Sequence, residues 1–422
     1  MSDHVALLLR RAGFGPTTEE LAAAQRSGYP ATLSNLLEPR GPDVGATRAP
    51  IPELGPDPHA YLPNPTPEQH ANADAARKEQ VELIQRWWLD RMIAASHQAT
   101  EKLIFFWHGH WATSADHVRS AQLMLAQHRT LREARDFAEQ AHRMVVDQAL
   151  IYWLDGHYNK KDAPNENLAR ELFELFMLGI GNYTERDVQE AARALTGWRV
   201  VLSRRTPVHD PPHHDSGRKT ILGTTARFDA AGLVDLLLDR PQCPRFIAKR
   251  LWFRYASATQ PLPEETRERM VAEFPVPGRM LRAMFSDAAF PDTAHTLPKQ
   301  PVEWLVGAMR QLGVRMASLP AEAATEILHD VRALGQLPFA PPSVGGWPAG
   351  TAWLTSAAAE VRMSLADKLV GFVAPTRLTP EEVARLLCVD GWSDRTYAVL
   401  RDAKNPRQLL TLGLASPEYL VT

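Results

Sequence analysis

Apolar side chains recur along most of this chain at the three- to four-residue spacing of amphipathic helices. Strict alternation of apolar and polar residues is confined to short stretches, the clearest around Trp198 to Leu202 and Thr220 to Leu222. The pattern predicts a mainly α fold. We expect a single large helical-bundle-like domain over residues 1–422, with long ordered loops and at most a short β hairpin.

Prolines and glycines interrupt the helical pattern in three places. Residues 39–66 are rich in proline and predict an extended surface loop. Residues 199–224 combine prolines, glycines and histidines, which indicates an irregular or hairpin excursion. Residues 334–353 contain Gly, Pro and two tryptophans, which is typical of a long ordered loop anchored by aromatic side chains.

A helix predicted over residues 164–179 carries its polar side chains on one narrow line. Asn167, Arg170, Glu171 and Glu174 share one arc at about 100° per residue, and apolar side chains occupy the rest. A largely buried helix with such a line either borders a cavity or forms ion pairs. The second interpretation would pair Arg170 with Glu174, and Glu171 with a distant arginine such as Arg193. The first makes the two glutamates candidate metal ligands, because carboxylates three residues apart can reach one ion.

A second polar pair lies in the aromatic segment 105–111, where His108 and His110 alternate with aromatic residues. Both are candidate metal ligands. Residues two apart on a helix point about 200° away from each other, so both can bind one ion only if Gly109 breaks the helix. The alternative is that one histidine serves the core and the other faces solvent.

The third cluster is the irregular segment 213–220, which contains His214, Asp215 and Lys219. Loops commonly carry functional residues, although a solvated polar turn explains the same composition. A phosphate-binding loop is excluded because Arg218 precedes Lys219, where that motif requires glycine. Motifs of serine hydrolases, dinucleotide-binding folds, zinc proteases and kinases are also missing from the sequence.

Composition narrows the class of protein further. The formal net charge of the 422 residues is −2 and there is no long basic run, so nucleic acid is not expected as a partner. The two cysteines, Cys243 and Cys388, provide neither a disulfide framework nor a thiolate metal site. No apolar run reaches the roughly 20 residues of a transmembrane helix, and the first residues do not have the pattern of an export signal. These features predict a soluble cytoplasmic protein.

Several of these segments resemble the bacterial "domain of unknown function 1800" family. The resemblance rests on Pro164 to Gly181, Ala191 to Trp198, His4 with Leu9 to Pro16, and Trp107 to His110, and it continues through Pro341 to Pro348 and Ser416 to Glu418. It covers nearly the whole chain and implies a helical fold without a known reaction. The matching positions include all three polar clusters.

Many relatives look exported, which the N-terminus here does not support. The region 123–137 departs from the family pattern, and His128 or Arg132 are the candidates to substitute there.

These observations lead to a hypothesis of a metal-dependent enzyme with oxidative or hydrolytic chemistry. His108, His110, Glu171 and Glu174 would hold a divalent iron, manganese or zinc ion, and His214 or Asp215 would act as acid or base, with Lys219, Asn167 and Arg170 beside them. A metal-free variant would use Glu171 or Glu174 with His214. The alternative is a non-catalytic scaffold that engages a protein or glycan partner through the 334–353 loop.

Overall fold

The computed structural model describes residues 4–62, 64–204, 206–294, 296–376 and 378–422. The mainly α prediction is confirmed. The α-helices of the described residues are α1 His4–Ala12, α2 Thr18–Ser27, α3 Tyr29–Leu37, α4 Pro67–Ala94, α5 Gln98–His110, α6 Ala115–Val118, α7 Ala121–Glu133, α8 Phe137–Met144, α9 Gln148–Trp153, α10 Asn167–Glu171, α11 Glu185–Ala194, α12 Ala230–Leu238, α13 Gln242–Tyr255, α14 Glu264–Val271, α15 Pro277–Phe285, α16 Pro301–Leu312, α17 Ala321–Ala333, α18 Ser356–Val370, α19 Pro380–Leu386, α20 Asp394–Arg401, α21 Pro406–Leu414 and α22 Pro417–Leu420.

Two small antiparallel hairpins accompany the helices, one more than we expected. Strand β1 Trp198–Arg199 pairs with β2 Val208–His209, and β3 Lys219–Ile221 pairs with β4 Thr224–Ala226. Both hairpins lie within or beside the predicted 199–224 excursion, of which Arg205 is outside the described residues. The excursion folds into paired strands because Gly223 adopts φ +79° and closes the turn between β3 and β4.

Helix starts follow the local sequence closely. Thr17, Thr66, Thr184 and Thr379 each accept a hydrogen bond from the backbone three residues on, in reciprocal capping boxes. The cap at Thr66 ends the Pro-rich stretch, so α4 begins at Pro67. Residues 39–62 and 64–66 otherwise form a loop with one 3₁₀ turn, Ala46–Arg48, while Pro63 lies outside the described residues.

The core runs as one continuous cluster of buried apolar side chains from Leu7 to Tyr419. Its largest fully buried members include Trp88, Trp111 and Trp304. Each large aromatic side chain contributes about 1.5–3 kcal/mol when it leaves water, so these residues weigh heavily in the stability of the fold. The organisation of 1–422 as one domain stays a prediction, with which this continuous core agrees.

Most residues of helix α5 are buried, and the loop 334–353 packs directly on it. Gly346 adopts φ +81°, and a Cβ at this position would collide with the carbonyl oxygen of Gly109 in α5. Trp347 stacks on Phe105 of α5 with 5.3 Å between the ring centroids. The glycines therefore let the loop approach the helix backbone, and this contact places the loop beside α5's histidines. Within the described ranges, no helix combines the length and apolar character needed to cross a bilayer.

Candidate functional site

Helix α5 continues through Gly109, which separates the two histidines of the aromatic segment. The Nε2 atom of His108 accepts a hydrogen bond from the backbone N–H of Phe339 at 3.0 Å. The ring packs against Trp88 and Trp347, and burial lowers its pKa to about 3. His108 is therefore a neutral side chain that fastens the 334–353 loop to the core.

His110 faces a different part of the protein. Its Nε2 atom lies 2.9 Å from the carbonyl oxygen of Phe176, so Nε2 carries the proton and donates it. The other ring nitrogen, Nδ1, is buried and has no hydrogen-bond partner among the described residues. Burial, assisted by the charge of Arg250, lowers the pKa of His110 well below its usual value. The ring is thus a neutral imidazole with a free acceptor lone pair.

The segment that follows α10 is a π-helix, Leu172–Met177. The backbone N–H groups of Leu178 and Gly179 both donate to the carbonyl oxygen of Phe173, and Gly179 leaves the helix at φ +83°. Turns of this kind inside helices recur at functional sites. Here the π-helix carries Glu174 and presents the carbonyl oxygen of Phe176 to His110.

The two predicted glutamates are neighbours on this element, and both are half-buried. Glu174 accepts a hydrogen bond from the Tyr183 hydroxyl at 2.7 Å. Burial and the charge of Glu174 raise the pKa of Glu171 above its usual value. The polar line predicted over residues 164–179 therefore does bring the two carboxylates into electrostatic contact.

The predicted four-ligand metal centre of His108, His110, Glu171 and Glu174 does not assemble. Because α5 is continuous, His108 turns toward Phe339 while His110 turns toward the π-helix. In the described part of the chain, one group of three ligand-type side chains has its ligand atoms within 4.8 Å of one another, and it comprises His59, His70 and Asp74. A divalent metal stays a prediction, but these four residues do not form one site for it.

Asn167 and Arg170 lie on the outer side of the same segment. Arg170 forms ion pairs with Glu166 at 3.0 Å and with Glu185 at 2.7 Å, instead of the Glu174 pair considered from the sequence. The backbone N–H of Asn167 donates to the Asn165 side chain at the start of α10. The contacts of both residues are those of a helix start and a surface ion-pair network.

The third predicted cluster is built into the fold by its own hydrogen bonds. The Lys219 ammonium is buried and donates to three backbone carbonyls, those of Asp215, Gly217 and Phe228. The Asp215 carboxylate pairs with Arg193 at 2.7 Å, and His214 donates from Nδ1 to the Thr196 carbonyl at 3.0 Å. The role of these groups as acid and base stays a prediction, and in the structure their polar atoms bond to the backbone around the hairpins and to Arg193 of α11.

Neither tryptophan of the 334–353 loop is an exposed docking residue. Trp353 is 4% exposed, and Trp347 is half-buried between Phe105 and His108.

His128 and Arg132, the candidates to replace the family pattern in region 123–137, also contact other side chains of the protein. His128 is buried against Trp88, and Arg132 forms a two-pronged ion pair with Glu101 at 2.8 Å. All four side chains, the two tryptophans included, therefore make contacts within the protein itself.

A cleft of about 940 Å³ lies where α5, the π-helix and α13 meet. One face of α13 contributes the following side chains to its lining: Gln242, Arg245, Phe246, Lys249, Arg250 and Phe253. His110, Glu174 and Ile180 also line the cleft, as do Val344 and Gly345 of the 334–353 loop. Two of the predicted site residues, His110 and Glu174, thus come together with a helix that the sequence reasoning did not select.

The electrostatics of this cleft are uneven. Arg245, Lys249, Arg250 and Arg267 supply four cations to the described lining, and Glu174 is its one carboxylate. Arg245 and Arg267 are each 3.5 Å from Glu268. Arg250 has no carboxylate partner within the described chain, its Nε atom is buried without a hydrogen bond, and burial lowers its pKa. In the sequence, the basic residues at 245, 249 and 250 on one helix face were the signal that could have indicated this cationic cleft.

The site is thus a cationic cleft in a mainly α-helical protein. The sequence model described as "Protein of unknown function (DUF1800)" matches residues 7–421. The chain therefore belongs to the DUF1800 family, which confirms the resemblance seen in the sequence. No curated protein and no solved structure matches the chain.

Proposed function

We propose that this protein is an enzyme that binds an amphipathic organic anion in the cleft between α13 and the π-helix and acts on it by acid–base chemistry. One observation carries the proposal. A buried donor, Nε of Arg250, and a buried acceptor, Nδ1 of His110, line the same cleft, and neither has a partner among the described residues.

Unpaired groups of this kind are costly in a folded protein. A buried polar atom without a hydrogen bond costs about 1–3 kcal/mol, and more when the group is charged. Native structures leave few such groups, and each calls for an explanation. Arg250 would recover this cost by contact with an anion, because a guanidinium binds carboxylate or phosphate oxygens in its own plane. The Nδ1 atom of the neutral His110 would accept a hydrogen bond from a donor on the same molecule.

The apolar side chains of the cleft indicate that the ligand has an apolar portion besides its charged end. Ile180 is 78% exposed and Phe253 is 40% exposed, and both line the cleft beside Phe246 and Leu178. Large apolar side chains grouped at a cleft mark a binding surface. An anion with an alkyl or aryl portion would cover them while its charged end contacts Lys249 and Arg250.

Glu174 is the candidate general base in this arrangement. The Tyr183 hydroxyl holds its carboxylate in place at 2.7 Å, and Glu174 lines the cleft together with His110. His110 stays neutral because burial and Arg250 oppose its protonation. A metal does not fit the donor set, since the described lining offers one imidazole and one carboxylate among four cations. The proposal therefore contains no step through a metal.

Calorimetric titration with octanoate, and with octylammonium as the oppositely charged match, tests the binding step. We expect octanoate to bind and octylammonium not to bind. Arg250→Gln and Lys249→Gln should weaken octanoate binding by about 10- to 100-fold, since a charged hydrogen bond contributes about 1.5–3 kcal/mol. Lys161→Gln, which removes an exposed lysine elsewhere, is the matched control. Equal binding of both ligands, or unchanged octanoate affinity in both cleft variants, would contradict the proposal.

The catalytic step is tested in the same protein with a panel of anionic esters that carry an alkyl or aryl group. Glu174→Gln should lower kcat by about 10²- to 10⁴-fold, the usual contribution of a general base, and should leave octanoate binding in place. Turnover that does not depend on Glu174 would show that Glu174 is not the base. Octanoate binding with no turnover of any ester would favour the second candidate, a non-catalytic binding protein that uses the same cleft.

A further inference from the structure

A second polar cluster lies far along the chain from the cleft residues, where the Pro-rich loop meets α4. His59 comes from the loop, and His70 and Asp74 come from the first turns of α4. Their ligand atoms all lie within 4.8 Å of one another. The Nε2 atom of His59 is 2.9 Å from the Asp74 carboxylate, and the rings of His59 and His70 are 5.2 Å apart between centroids.

The helix and the loop each fix part of this geometry. His70 and Asp74 are four residues apart, so they lie one above the other on the same face of α4. The loop is held by Asp57, whose carboxylate is buried. It accepts a hydrogen bond from the backbone N–H of His59 at 2.9 Å and pairs with Arg77 of α4 at 2.6 Å. Arg77 continues the same helix face, so an ion pair one turn away already positions His59.

We propose that His59, His70 and Asp74 bind a divalent zinc-class ion that fastens the Pro-rich loop to α4. Two imidazoles and one carboxylate form a donor set that suits zinc and related transition metals better than magnesium or calcium. Zinc sites with three protein ligands retain a position for water. The partial exposure of the cluster allows this, with the His59 side chain 14% exposed and that of Asp74 53% exposed.

The spacing of the ligand atoms matches such a site after small side-chain rotations. Tetrahedral zinc with bonds of about 2.0–2.1 Å places its ligand atoms about 3.3 Å apart. The 2.9 Å separation of His59 and Asp74 would widen slightly, and His70 would move inward from within the 4.8 Å limit. His70 and Asp74 are exposed, so their side chains have room to make these adjustments.

Titration of the chelator-treated, untagged full-length protein with zinc chloride tests the proposal. We expect one zinc per chain in calorimetry. His70→Ala and Asp74→Ala should each weaken binding by at least the roughly 10- to 100-fold that loss of an outer-shell partner costs. His142 provides the matched control, because it forms a His–Asp pair with Asp235 at 3.0 Å and belongs to no three-ligand group among the described residues. His142→Ala should bind zinc like the unaltered protein.

Limited proteolysis supplies a readout that does not depend on calorimetry. At a zinc concentration that just saturates the unaltered protein, zinc should slow cleavage between residues 57 and 62 in the unaltered protein and in His142→Ala, and should slow it much less in His70→Ala. The proposal is overturned if zinc fails to bind at one equivalent, if the His70 and Asp74 variants bind it unchanged, or if the His142 variant loses it equally.

Discussion

The segment 213–219 and the α13 cleft both collect charged and imidazole side chains, yet they use them in opposite ways. In the segment, Lys219 donates to three carbonyls and Asp215 pairs with Arg193, so the protein itself satisfies these charges. In the cleft, Arg250 and His110 each keep a buried polar atom that has no partner among the described residues. Satisfied polar atoms stabilise the fold, whereas unpaired ones that also line a cleft are the groups that a ligand can satisfy.

This comparison predicts the largest effect for the lysine of the segment. Lys219→Met should lower the free energy of unfolding by about 3 kcal/mol or more, because it leaves three carbonyls without their donor. Lys249→Met in the cleft should change it by no more than about 0.5 kcal/mol, as for a surface substitution. Urea denaturation monitored by tryptophan fluorescence measures both. Similar losses in the two variants would break the distinction between the two regions.

An intermediate effect is expected from His110, through the pH dependence of stability. Its pKa is lowered in the folded state, so the unfolded chain binds the proton more readily. The contribution of His110 to the free energy of unfolding should therefore be complete above the usual histidine pKa of about 6.5. It should decrease as the pH falls below that value. The expected slope is about 1.4 kcal/mol per pH unit for one histidine that stays neutral. In His110→Leu the decrease should be shallower by that amount, as measured by urea denaturation between pH 5 and pH 8.

A parallel slope in the two proteins would show that His110 is protonated in the folded state. It would also remove the neutral imidazole from the proposed site. The Phe176 carbonyl loses its donor in this variant, so we expect His110→Leu to be less stable at neutral pH by about 1 kcal/mol. The comparison of slopes is independent of that offset.

The smallest effect is expected from Glu171, with the opposite sign. Burial and the charge of Glu174 raise its pKa, so the folded protein holds the proton more readily than the unfolded chain. Its contribution to stability is fully present below the usual carboxyl pKa and is lost as the pH rises through the raised value. Glu171→Gln should remove this loss and gain stability relative to the unaltered protein as the pH rises above the usual carboxyl pKa of about 4.3. Thermal unfolding at pH 4 and pH 7 compares them, and no relative gain at pH 7 would contradict the raised pKa.

Much of the fold could be predicted because its signals are local. Thr184 and Asp187, three residues apart, form a capping box at the start of α11, and the helical periodicity leads to α-helices over most of the described chain. The site residues predicted from the sequence are distributed over different surroundings. His110 and Glu174 line the proposed cleft, whereas His108, His214 and Lys219 form hydrogen bonds with backbone groups of the protein itself. Arg250 was missed because a basic residue on an amphipathic helix is ordinarily a solvated one.

The sequence alone determined the helical class, the interrupting loops and the family, because each depends on neighbouring residues or on position-by-position similarity. Only the tertiary structure decided which polar residues have partners. Asp215 and Arg193 are 22 residues apart, and His110 and Phe176 are 66 apart, so their pairing depends on how helices pack. Whether a charge is satisfied or left facing a cleft is a property of the packed chain, since it depends on contacts that no local pattern contains.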